Sequence, residues 1–106
     1  MLSINYKDPR PIYEQVRDAL RQLILSGAIA PGEKLPSVRE LAASLAINPN
    51  TIQRSYRELE SLGLINTVPG KGAFAATDHT AAQRRTQELT DTLAAAVQEL
   101  QLLGVS

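Results

Sequence analysis

Two helix-start signals only eleven residues apart, Ser37 and Asn48, constrain this chain more than any other feature. Ser37 precedes an apolar-periodic run and is followed three residues later by Glu40, the spacing of a capping box that satisfies orphan backbone donors at a helix start. Asn48 is a good N-cap, and Pro49 after it takes the first helical position, where its missing N–H costs nothing. Ile47 and Ile52 fall at N′ and N4 of that second helix, the spacing of a hydrophobic staple that fixes how the chain enters. The stretch from Ser37 to Leu62, SVRELAASLAINPNTIQRSYRELESL, is therefore expected to form two short helices joined by a tight turn. With Leu41, Leu45, Ile47 and Ile52 as buried contacts and small Ala42 at the close approach, this is a helix-turn-helix pattern.

The second helix would be the reader. Its outward positions are Asn50, Thr51, Gln53, Arg54 and Arg57, and no acid occurs between Glu40 and Glu58. Amides that can pair with adenine, cations for guanine or phosphate, and no carboxylate to repel the backbone suit a helix in the major groove. The same spacing also serves two amphipathic helices of an ordinary α domain with a solvated polar face.

On the N-terminal side, residues 1–9 (MLSINYKDP) alternate apolar and polar before Asp8-Pro9, which predicts an extended arm ending in a turn. Ile12, Val16, Ala19, Leu20, Leu23 and Ile24 then draw one face of a helix that starts near Pro11 and stops at Gly27. Arg17 and Arg21, one turn apart on its polar side, read as solvated. The segment AIAPGEKLP is a linker with Pro31-Gly32 suited to a type II turn, and Pro36 delivers the chain extended to Ser37. Beyond Gly63, the period changes. LINTV and AFAA flank VPGKG as two strand-like runs around a glycine-containing tip that carries Gly70 and Lys71. Three helices followed by such a hairpin give a mainly α winged helix-turn-helix. Lys71 is placed to touch phosphate, or is simply a solvated turn residue.

The formal net charge is zero, but it is unevenly spread. Residues 1–76 carry nine Lys/Arg against seven Asp/Glu, and residues 77–106 carry two against four, so the basic balance goes with the reader. The absence of cysteine excludes disulfides and thiolate metal sites and suits a reducing compartment. No apolar run approaches the ~20 residues of a membrane span, and Met1 leads into a polar arm instead of a signal sequence, so a soluble, cytoplasmic protein is expected, with no membrane partner. The single histidine, His79, with Asp78 beside it, cannot assemble a catalytic constellation or a metal cluster, so neither an enzyme nor a metal or cofactor is expected.

Several separated blocks resemble a known family. KLPSVRELA, INPNTIQRSYRELESLGLI and PGKGAF are similar to the winged-helix signature of GntR-type bacterial transcription regulators, and YKDPRPIYEQV with the short tail resembles the YtrA-like subfamily. The resemblance covers about residues 4 to 76. It implies DNA contacts from Arg39 on the first helix of the pair and from Asn50, Thr51, Gln53 and Arg54 on the reader, with Gly70 and Lys71 at the wing tip; Ser37 at the start of the first helix and Arg57 on the reader's outward side complete the candidate contacts. It also implies a repressor. Many members carry Arg where this chain has Pro49 and Gln53, so the operator they read does not transfer. Ala46 stands where such turns commonly have glycine, which strains the turn.

The division expected is a winged helix-turn-helix domain over residues 1–76 and a helical tail over 77–106. Thr80 and Gln83 make another capping-box spacing. Ala82, Thr86, Leu89, Leu93, Ala96, Leu100 and Leu103 then alternate four and three apart, with Val97 widening the stripe and Gly104 ending it. A helix of about 23 residues is about 35 Å long, too long for one small domain to cover its seam. Leu89, Leu93, Ala96, Val97, Leu100 and Leu103 are accordingly expected to pack across a homodimer axis, the alternative being a helix folded back on its own domain. A dimer would read an inverted-repeat operator in double-stranded DNA. Thirty tail residues enclose no metabolite pocket by themselves, which leaves a small-molecule effector open. A winged helix that binds protein would need an apolar patch on the reader face, where amides and cations stand instead.

Overall fold

The structure is a computed structural model that describes residues 2–78 and 80–105. After the arm come α1 (Ile12–Leu25), α2 (Val38–Leu45), α3 (Pro49–Ser61), β1 (Ile65–Val68), β2 (Gly72–Ala75) and α4 (Thr80–Leu102). The two expected starts form as the local chemistry dictates. Ser37 Oγ accepts the Glu40 N–H at 3.0 Å, Asn48 Oδ1 accepts the Asn50 N–H at 2.8 Å, and Pro49 sits at the first turn of α3.

α3 is the centre of the packing. Its inner stripe, Ile52, Tyr56 and Leu59, is buried against Val16, Leu20 and Ile24 of α1 on one side and Leu41 and Ala42 of α2 on the other. Leu45 and Ile47, expected in the core, are half-buried and packed against its edge. Ser55 has no exposed surface, and its Oγ lies 2.8 Å from the Tyr13 carbonyl, so a small polar residue lets α1 and α3 approach closely while keeping its own hydroxyl bonded. Tyr56 Oη donates to the Pro36 carbonyl at 2.6 Å, tying the residue before the Ser37 cap of α2 to the middle of α3. Burial, with Glu40 nearby, pushes the Tyr56 hydroxyl up to about 12, so it stays a neutral donor at physiological pH.

The hairpin pairs antiparallel with Ile65 opposite Ala75 and Val68 opposite Gly72. Its tip is a type II turn: the Lys71 N–H donates to the Val68 carbonyl at 2.9 Å, with Pro69 and Gly70 central and Gly70 at φ +77°. The segment before α2 is more than the linker expected. The Leu35 N–H donates to Ala73 O and the Ala75 N–H to Glu33 O, both at 2.8 Å, and Lys34 bridges Phe74, so a short third strand lies along β2. Residues 30–33 turn as expected, with Gly32 at φ +80° and the Glu33 N–H on the Ala30 carbonyl.

The arm lies on the body through Leu2 and Ile4, which pack against the core. Gln15, buried on α1, clasps it in the manner of a strand: Gln15 Oε1 accepts the Asn5 N–H at 3.0 Å and Gln15 Nε2 donates to the Asn5 carbonyl at 3.1 Å. α4 begins at Thr80, and the capping box expected of Thr80 with Gln83 rests on a side chain outside the described residues. From Gln83 onward the described residues of α4 are exposed on every side. The helix is stopped where expected: Gly104 takes φ +82° and the Val105 N–H reaches back to Leu100 O at 3.0 Å, a Schellman closure.

The helix-turn-helix corner carries the strain foreseen for it. Ala46 ends α2 in the left-handed region, φ 55° and ψ 45°, while the Ile47 N–H closes onto Ala42 O at 2.9 Å. A non-glycine residue there costs roughly 1–2 kcal/mol, partly offset in a glycine variant by the greater freedom of its unfolded chain. Ala46→Gly is thus expected to stabilise the fold by about 0.5–1 kcal/mol, seen as a raised midpoint in thermal unfolding; an unchanged or lowered midpoint contradicts the strain. Tyr56→Phe should cost about 1–3 kcal/mol in denaturant unfolding, because the Pro36 carbonyl loses its buried donor.

Candidate nucleic-acid interface

The face of α3 opposite its core stripe carries Asn50, Gln53, Arg54 and Arg57, spaced three, one and three apart, and all four are exposed. Thr51, expected beside them, is half-buried at the edge of the stripe. The first turn of α3 holds no acid, so the positive end of the helix dipole is not offset by a carboxylate. Ser37 and Arg39 are exposed at the start of α2, although Ser37 Oγ is already engaged as the cap. Gly70 and Lys71 are exposed at the hairpin tip. Arg39, the α3 face and the tip thus present cations and amides from three separate elements.

The first acid met along α3 is drawn away from this face. Arg17 Nη1 lies 2.7 Å from Glu58 Oε1, and its Nε lies 2.9 Å from Asp18 Oδ1. Arg17 is therefore not the solvated residue expected from the sequence; it is a bridge between α1 and α3. Arg10 extends the set, lying 3.1 Å from both Asp8 and Asp18. The hydrogen bond from Arg17, together with the surrounding arginines, holds the Asp18 carboxyl below its ordinary range, and that from Arg10 does the same for Asp8.

Arg54 is not a freely projecting cation. Its guanidinium carbon lies 3.7 Å from the centroid of the Tyr13 ring, Nη2 donates to Tyr13 Oη at 3.0 Å, and Nε lies 3.5 Å from Glu58 Oε2. Its side chain is still 59% exposed. Tyr13 and Glu58 were not singled out in the sequence, and no short-range pattern could have found them, since Tyr13 and Arg54 meet only through the fold.

The expected seam of α4 is uncovered in the single chain. Leu89, Leu93, Val97, Leu100 and Leu103 are between 44% and 75% exposed, and Ala96 is exposed among them. Ala82, at the start of the stripe, packs against the body, and Thr86 and Leu89 after it face Leu25, Leu62 and Leu64 across a shallow cleft. No helix among the described residues is long and apolar enough to cross a membrane, and no group of three or more metal-ligating side chains occurs among them.

Residues 12–75 match the family described as bacterial regulatory proteins, gntR family. The HTH-type transcriptional repressor YtrA of Bacillus subtilis (strain 168) is 46% identical over 74 residues, a match covering 70% of this chain and 57% of the relative. The uncharacterized HTH-type transcriptional regulator YhcF of the same organism is 37% identical over 102 residues, covering 95% of this chain and 84% of that one. Among solved structures, YtrA from Sulfolobus acidocaldarius, a GntR-family transcription factor, superposes with a TM-score of 0.70 at 32% identity, covering 90% of this chain and 97% of the other. AraR(DBD) in complex with operator ORE1 gives a TM-score of 0.61 at 30% identity, covering 72% of this chain and 93% of the other. With the winged topology, the amides and arginines on the outer face of α3 and a family match spanning all three helices and the hairpin, the chain belongs to the GntR family of bacterial regulatory proteins, a family of transcription regulators and not of enzymes.

Proposed function

We propose that this protein is a transcriptional repressor that binds an inverted-repeat operator in double-stranded DNA as a homodimer. The observation that carries this reading is the outer face of α3: Asn50, Gln53, Arg54 and Arg57 stand exposed with no carboxylate among them. Amides and arginines are the groups that read base edges in the major groove, while Arg39 and Lys71 suit phosphates to either side. The similarity to a DNA-binding domain described in complex with its operator, and to a protein named as a repressor, supports the assignment.

In this reading residues 1–76 are the DNA-binding domain and 77–106 the dimerisation tail. Burying the leucine and valine stripe of α4 against a second copy removes from water several large side chains, each worth about 1.5–3 kcal/mol when fully covered. Pairing also doubles the contacts, since a module of this size alone buries little surface on a duplex. The protein would act in the cytoplasm, without a cofactor; the small-molecule effector, if one exists, would have to sit at the dimer interface.

Footprinting on fragments enriched from genomic DNA should protect two half-sites with centres about 34 Å apart, or a multiple of that spacing. Affinity should fall steeply with salt, and Lys71→Ala should flatten the logarithmic salt slope by about one unit. Failure to retain any duplex above non-specific competitor contradicts the assignment. Sedimentation at micromolar concentration should give the mass of two chains, and Leu93→Glu should give that of one with a far weaker footprint. A single-chain mass for the unmodified protein refutes the dimer.

A further inference from the structure

Among Arg39, Arg54 and Arg57, the three arginines presented by α2 and α3, only Arg54 is held by other side chains among the described residues. The holding is two-sided. One face of the guanidinium lies on the Tyr13 ring, 3.7 Å from its centroid, and Nη2 donates to Tyr13 Oη at 3.0 Å. Tyr13 is itself fixed, because its carbonyl takes the buried Ser55 hydroxyl of α3 at 2.8 Å and its hydroxyl lies 3.4 Å from Glu14 Oε1. The phenol can donate to Glu14 while accepting from Arg54, so both contacts are satisfied at once.

Glu58 would be expected to cancel the charge on Arg54, but Arg17 holds it more closely, at 2.7 Å against 3.5 Å. The carboxylate is already paired across α1 and α3, and Arg54 keeps its charge outward. One Nη2–H is directed to Tyr13 Oη, and Nε lies beside the Glu58 carboxylate. The other donors of this five-donor group are left for a ligand.

We propose that Tyr13 is a positioning residue for DNA recognition: its ring is the shelf that holds Arg54 flat and in one rotamer, so that α1, which carries no reader residue itself, sets the aim of a reader-helix arginine. The proposal rests on the DNA-binding reading above. An arginine ordered before binding loses less side-chain freedom on contact than a free one. The planar fork then meets a guanine edge or a phosphate in a fixed orientation, and the effect falls on discrimination between sequences more than on general attraction to DNA.

The test is a double-mutant cycle in the full chain on a duplex selected from a random pool by the unmodified protein, with a scrambled duplex as reference at fixed salt. R54A should lower the ratio of selected to scrambled affinity by about ten-fold. Y13L should lower it by roughly two- to five-fold, the range of an exposed cation–π contact. Y13F, which keeps the ring, should retain most of the ratio, and Y13L added to R54A should change nothing further. Y13M replaces Y13L should the latter lower the thermal midpoint by several degrees. In solution the side-chain protons of Arg54 should show an upfield ring-current shift that Y13F keeps and Y13L abolishes. Equal losses from Y13L with and without Arg54 would make Tyr13 a general scaffold residue and overturn the proposal; so would an unchanged ratio in R54A. If the unmodified protein selects no duplex, the DNA-binding reading fails first, and this one with it.

Discussion

The rest of the molecule depends on how α3 is gripped between its two neighbours. Ile52, Ser55 and Leu59 have no exposed surface and Tyr56 almost none, all on one side of a 13-residue helix. Burying that stripe is what leaves Asn50, Gln53, Arg54 and Arg57 outside, because a helix with 3.6 residues per turn presents positions three and four apart on one face. The outer face is thus a product of the inner one. Any change that rotated α3 in its seat, for instance a bulkier residue at Ser55 where α1 crosses, would turn the polar set with it.

Charge is handled by the same crossing. Arg17 joins α1 to α3 through Glu58 while also pairing with Asp18, by ion pairs that are partly exposed and therefore modest in stability, yet the 2.7 Å contact draws Glu58 toward α1 and leaves it only 3.5 Å from Arg54 at the border of the outer face. Arg10 and Asp8 continue the set into the turn that ends the arm, where the Gln15 amide already fastens Asn5. The N-terminal arm, α1 and α3 are in this way a single mechanical unit, whose decisive links, Gln15 to Asn5 and Arg17 to Glu58, span 10 and 41 residues of sequence.

That span explains what the sequence could and could not disclose. Ser37, Asn48, Pro49 and Gly63 announced the helix ends because caps and stops are local chemistry, settled by the next few residues. The hairpin was legible for the same reason, since Pro69-Gly70 has few other uses between two strand-like runs. The third strand at Lys34 was not: it is a single bridge with flanking bonds, too short for any period to show. Arg17 looked solvated because nothing near it in sequence reveals Glu58, and Tyr13 looked like one more half-apolar position of α1. The outward residues of α3 were named correctly as exposed except Thr51, whose place at the border of the stripe is a matter of a few degrees of rotation.

The short strand has a mechanical consequence. Glu33 and Leu35 are bonded to β2, and Pro36, the next residue, is held by Tyr56 as the chain enters α2. The two backbone bonds of this strap, Leu35 N–H to Ala73 O and Ala75 N–H to Glu33 O, are both 2.8 Å, and the Lys34 side chain lies over Gly72 between them and the tip. Hairpin, strap and helix pair are therefore fastened at both ends, and the tip has little freedom to swing independently of α3. Whatever surface touches both must yield to their fixed spacing, so the burden of adjustment falls on the partner's stiffness instead of on a hinge in this chain.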